Sequence, residues 1–96
     1  MTYQPTEDIV TARFPKRADG LEINSIDGGF MVYQAEHNRV HYLNHTAVLV
    51  LELCNGRDSA EKIAGIVQEA YGLSELPETE VMDIITKMET EALVTV

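Results

Sequence analysis

One stretch, Arg39 to Gly56 (RVHYLNHTAVLVLELCNG), constrains the fold more than any other part of the chain. Arg39-Val40-His41-Tyr42-Leu43 alternates, with a β-branched or aromatic residue at Val40 and Tyr42, as a half-buried strand does. Asn44 can then cap a helix by accepting a backbone N–H from its first turn. Ala47, Val48, Val50, Leu51, Leu53 and Cys54 follow and are apolar nearly all round, so this helix is expected to be the buried one. Asn55-Gly56 is expected to end it, with glycine in the left-handed position that closes many helices. Sheet is expected before this stretch and helices after it.

Before the stretch, Leu21 to Ile26 and Phe30 to Gln34 read as two short strands separated by Asp27-Gly28-Gly29, a hairpin signal of the primed-turn kind. With Arg39 to Leu43 they make a three-stranded antiparallel meander, which needs a helical layer over one face. After Gly56, Asp58 and Glu61 stand at capping-box spacing, with Ser59 as the alternative cap. The second helix carries Ile63, Ile66, Val67, Ala70 and Tyr71 at helical period and stops at Gly72. Pro77 suits the start of a third helix, and Glu78 and Glu80 its positive end. Val81, Ile84, Ile85 and Met88 form its inward stripe, and Ala92-Leu93-Val94 closes the domain as an extended tail. The expected class is α+β, three antiparallel strands followed by three helices. Residues 1–19 lack periodicity, are broken by Pro5 and Pro15, and read as a flexible arm before a domain over 20–96.

Ninety-six residues support one domain. A formal net charge of −9 disfavours nucleic acid and anionic membranes, whose phosphates need clustered Lys and Arg. One cysteine provides neither a disulfide framework nor a zinc set, and no apolar run reaches the length of a membrane span. A soluble, cytoplasmic domain is the expectation.

Little in the sequence points to catalysis. His37, His41 and His45 recur every four residues, but the strand pattern and the Asn44 cap deny them a common helix, so no metal site is expected. His41 is instead expected to point outward from an exposed strand. Cys54 sits where a buried cysteine acts as a small apolar residue. No nucleophile elbow surrounds Ser59, and Asp27-Gly28-Gly29 is a turn and not a phosphate cradle. Neither enzyme activity nor a cofactor is expected.

What remains is a surface. The strand Arg39 to Leu43 is a plausible sheet edge without proline or lysine, two usual devices against pairing. Met82, Ile85 and Glu89 make a second ridge on the third helix, one face over from its inward stripe. An extended peptide could lie between the two, using main-chain hydrogen bonds for affinity and pockets for specificity. The other reading makes Met82 core and covers the edge with the N-terminal arm.

At Leu43-Asn44-x-Thr46-Ala47 and Leu51-x-Leu53-Cys54-Asn55-Gly56 the sequence resembles the PqqD family, small winged-helix proteins of the coenzyme PQQ pathway and, more broadly, RiPP recognition elements. The likeness extends to Pro15-Lys16-Arg17, to Ser59-Ala60-Glu61-Lys62-Ile63, to Asp83 through Met88, and to Leu93-Val94. Glu91-Ala92 departs from it, since many relatives have glycine before the final Leu-Val. The resemblance implies a winged helix-turn-helix-like, non-catalytic peptide chaperone of natural-product biosynthesis. It would bind the leader of a ribosomally made precursor peptide and present it to a modifying enzyme such as a radical SAM protein. It places the leader on the third strand and third helix, here Arg39, Val40, His41, Tyr42 and Leu43 with Met82, Ile85, Thr86 and Glu89. Two alternatives stand beside it. One is a DNA-binding winged helix, opposed by Glu75, Glu78, Glu80, Asp83, Glu89 and Glu91 against Lys87. The other is a structural homodimer paired through the edge strand.

Overall fold

The cap at Asn44 forms as the sequence predicts: its Oδ1 accepts the Ala47 N–H at 2.8 Å, and helix α1 runs His45–Leu53. The computed structural model describes residues 14–95 of the chain. Ahead of α1 lies the three-stranded antiparallel sheet of β2 (Leu21–Ile26), β3 (Gly29–Gln34) and β4 (Arg39–Leu43), in that spatial order. Behind it come α2 (Ala60–Tyr71) and α3 (Glu78–Thr90), so the α+β order of sheet and then three helices holds. Of the arm expected over residues 1–19, residues 1–13 lie outside the described residues. The remainder is tied to the domain. Lys16–Arg17 forms a short β1 that pairs antiparallel with β5 (Val94–Thr95), and Pro15 is buried.

That pairing changes the end of α1. The helix stops at Leu53, ahead of Asn55-Gly56, because the chain there turns to meet the Pro15–Lys16 segment. The Arg17 N–H donates to the Cys54 carbonyl at 2.9 Å and the Gly56 N–H to that of Pro15 at 2.9 Å. Asn55 Oδ1 accepts the N–H groups of Arg57 and Asp58, an Asx turn that hands the chain to α2. Ser59, rather than Asp58, caps α2 by accepting the Lys62 N–H at 3.2 Å. The β2–β3 turn also differs from expectation. Of its two loop residues Gly28 has positive φ and Asp27 does not, so the turn is not primed.

The core lies between the helices and one face of the sheet. Val32 of β3, Leu51 of α1, Ile63 of α2, Val81 and Ile85 of α3 and Leu93 are all 3% exposed or less. Burying such side chains fully contributes about 1.5–3 kcal/mol each. The stripe read along α2 is buried at Ile63 and Val67 but not at Ala70 and Tyr71, whose turn lies outside this layer.

Helices α2 and α3 end in the same hydrogen-bond pattern with different residues at its crux. After α2, the Leu73 N–H reaches the Gln68 carbonyl and the Gly72 N–H reaches that of Glu69. After α3, Leu93 bonds to Met88 and Ala92 to Glu89. Both are Schellman motifs, which need a left-handed residue at C′. Gly72 takes that conformation freely at φ 62°, whereas Ala92 holds the same φ of 62° against its Cβ.

Candidate functional site

Strand β4 is the edge of its sheet. It pairs with β3 on one side and, among the described residues, with no strand on the other. The free side opens beside α3 into a cleft of about 380 Å³. From β4 and its continuation come His41, Tyr42, Leu43, Asn44 and Ala47; from α3 and its end come Ile84, Lys87, Met88, Glu91 and Leu93. Its lining combines the apolar side chains of Leu43, Ala47, Ile84, Met88 and Leu93 with the polar and charged ones of His41, Tyr42, Asn44, Lys87 and Glu91. A backbone edge unpaired among the described residues, beside apolar side chains, suits an added strand, which supplies partners to its N–H and C=O groups.

The register decides which side chains face this cleft. Val32 pairs with His41, Phe30 with Leu43 and Gln34 with Arg39, so these three pairs share the sheet's inner face. Val40 and Tyr42 point the other way and are 45% and 70% exposed. The alternation expected in β4 is present with its phase reversed. His41, expected to point outward, turns inward with only 10% of its side chain exposed.

The inward His41 belongs to a polar network that joins the sheet to the end of α3. Its Nε2 donates to Gln34 Oε1 at 2.9 Å, since that carbonyl oxygen can only accept. Gln34 in turn donates from Nε2 to the Ala92 carbonyl at 3.0 Å and, at 3.4 Å, to that of Glu91. The other ring nitrogen, Nδ1, lies 3.3 Å from Glu91 Oε1, and Arg39 Nη1 approaches the same oxygen at 3.8 Å. Gln34 is 3% exposed, and a buried amide is tolerated because both of its ends are partnered. The network links β3 and β4 to the end of α3.

On the strand, the structure brings His41, Tyr42 and Leu43 to the cleft, with Arg39 beside its charged end and Val40 on the outer face. On the helix the expected face is displaced. Ile85 is 3% exposed and belongs to the core, and Met82, partly buried, packs against the same core. Thr86 sits in a shallow surface depression with Asp83 and Thr90, and Glu89 lies on the same side of α3 as Met82 and Ile85. The cleft face is Ile84, Lys87, Met88 and Glu91, with the spacing i, i+3, i+4, i+7. The inward stripe read from the sequence is buried at Val81, Ile85 and Met88, and the ridge of Met82, Ile85, Thr86 and Glu89 lies beside the cleft without lining it. Apolar residues at 81, 82, 84 and 85 satisfy two adjoining faces equally well. Gln34 carried no sequence signal, because a glutamine at a strand end reads as solvent-facing.

The other histidines go elsewhere. His37 lies in a 3-10 turn between β3 and β4, and His45 opens α1 with its ring edge-on to Phe30 at 5.3 Å between centroids. Cys54 is 1% exposed, and burial pushes its thiol pKa up to about 12, so it is held as the neutral thiol. Among the described residues no helix is long and apolar enough to cross a membrane.

The sequence pattern described as coenzyme PQQ synthesis protein D (PqqD) matches residues 29–94 of this chain. No curated protein matches the sequence. Two solved structures share the fold. One is the solution NMR structure of the PqqD truncation of Methylobacterium extorquens PqqCD, a functional and stand-alone RiPP recognition element. It is 20% identical, with a TM-score of 0.68 over 92% of this chain and 99% of that one. The other is a lasso peptide synthetase B1 complexed with the leader peptide. It is 15% identical, with a TM-score of 0.63 over 86% of this chain and 99% of that one.

Proposed function

The chain belongs to the PqqD family, and we propose that it is a RiPP recognition element that binds the leader of a precursor peptide as an added strand on β4. The observation that carries this reading is the edge of β4, which no other strand among the described residues pairs, set directly beside the cleft against α3. Main-chain bonds to β4 hold a peptide of almost any sequence, and the floor of Leu43, Ala47, Ile84 and Met88 selects among them. The two solved structures of the same fold, one of a stand-alone recognition element and one complexed with a leader peptide, support it further. The protein makes no bond of its own in this scheme. It holds the leader so that the core peptide reaches a modifying enzyme such as a radical SAM protein, in the cytoplasm where such peptides are made. Leader affinities between micromolar and nanomolar would correspond to about 8 to 12 kcal/mol.

The test is an amide NMR titration of the isotope-labelled protein with the synthetic leader of the short precursor encoded nearest to it. Shifts concentrated on Arg39 to Leu43 and on Ile84, Lys87, Met88 and Glu91 are expected. Saturable shifts confined to β2 or α2 would refute this placement, and a concentration-dependent rise in mass without peptide would favour edge-to-edge homodimers instead.

A further inference from the structure

We propose that Lys87 is a specificity determinant that selects an acidic side chain on the bound strand. This deepens the strand-addition reading above and rests on it. Lys87 is the one basic residue of α3, whose sequence is ETEVMDIITKMET, and it stands on the rim of the cleft. Asp83 and Glu91 lie one turn away on either side, the spacing at which acids and lysines pair on a helix. Neither pair forms. Glu91 turns to His41 and Arg39, and among the described residues no carboxylate lies within 4 Å of the Lys87 ammonium. An incoming acid therefore displaces no ion pair among the described residues.

The register locates the acid. A strand added to β4 places every second side chain over the cleft, one beside His41 and the next beside Leu43. Glu91 stands against His41, so Lys87, one turn earlier on α3, falls toward the Leu43 end. A glutamate beside Leu43 can lay its aliphatic stem along Ile84 and Met88 and bring its carboxylate to Lys87. The overall charge of −9 sharpens the choice, since the rest of the surface repels an acidic peptide.

The experiment selects phage-displayed random short peptides on the purified protein and maps the winners by amide shifts. The best binder and its acid→Gln and acid→Lys forms are then titrated against wild type, Lys87→Glu and Lys87→Met. Enrichment of Asp or Glu at one position is expected, with Lys87→Glu weakening the acidic peptide by about fivefold and the acid→Lys peptide recovering that loss. Lys87→Met should abolish the preference for acid over amide without affecting thermal unfolding, since Lys87 is exposed. Binders that map to β4 but show no acid preference, or lose the same affinity in acid and amide forms, overturn the assignment of Lys87 and leave the cleft standing. Winners that all map away from β4 overturn both.

Discussion

Replacing Gln34 by methionine tests whether the polar network holds α3 against the sheet. Methionine has nearly the same length and volume, so packing is largely kept and the hydrogen bonds are what is lost. Gln34 is 3% exposed and has three polar contacts. The contact to the Glu91 carbonyl is long at 3.4 Å and counts for little. The other two leave the Ala92 carbonyl and the His41 Nε2–H without a partner, at about 1–3 kcal/mol each. Ala92 is exposed enough for water to reach its carbonyl, which pulls the sum toward the lower half of that range. A loss of about 2–4 kcal/mol follows, read as a lower urea midpoint at unchanged slope and a melting temperature lower by roughly 10–20 °C. His41→Phe alone, and in combination, completes a double-mutant cycle. The two changes should fall short of additivity by about 1 kcal/mol, because they share one bond. A loss under about 0.5 kcal/mol for Gln34→Met, or full additivity with His41→Phe, would refute the reasoning.

Two further perturbations act away from the cleft. Ala92→Gly should stabilise the protein by up to about 1 kcal/mol in urea unfolding, since the left-handed Cβ penalty of about 1–2 exceeds the entropy cost of glycine. Gly72→Ala at the matching end of α2 should destabilise it by a similar amount, and equal effects of the same sign would contradict the shared motif. Cys54 has its pKa raised by burial from 9.0 to about 12, so the unfolded chain gives up its proton first. The stability from this site is complete below about pH 9 and is lost as pH rises toward 12, at up to about 1.4 kcal/mol per unit. The unfolding free energies of wild type and Cys54→Ala should run parallel with pH below about 9 and diverge between about 9 and 12, and parallel slopes within that window would count against a buried thiol.

The sequence made the frame legible and left the phases open. The Asn44 cap, the Gly72 stop and the three-strand meander each rest on a local signal that nothing downstream can reverse. Which face a periodic element turns inward is different, because it depends on what it packs against. In β4 the apolar pair Val40 and Tyr42 looks like the buried set, yet Gln34 and the end of α3 give His41 polar partners inside, and that selects the opposite face. In α3 the run from Val81 to Ile85 fits two faces, and docking on α2 settles it by burying Ile85 and turning Ile84 to the cleft. A two-residue strand such as β1 has no period at all and becomes visible only through its partner, β5.

That small pairing has an architectural consequence. Lys16 lies opposite Thr95 and Arg17 opposite Val94, so the first and last strands of the described fold lie side by side. A unit whose two ends meet can be spliced into a surface loop of a larger protein, or carried as a tail on either side of it, without pulling the fold apart. The β1–β5 clasp works like the plug of a cartridge. A domain built this way can be moved between hosts in evolution, or in the laboratory, with its β4 edge intact.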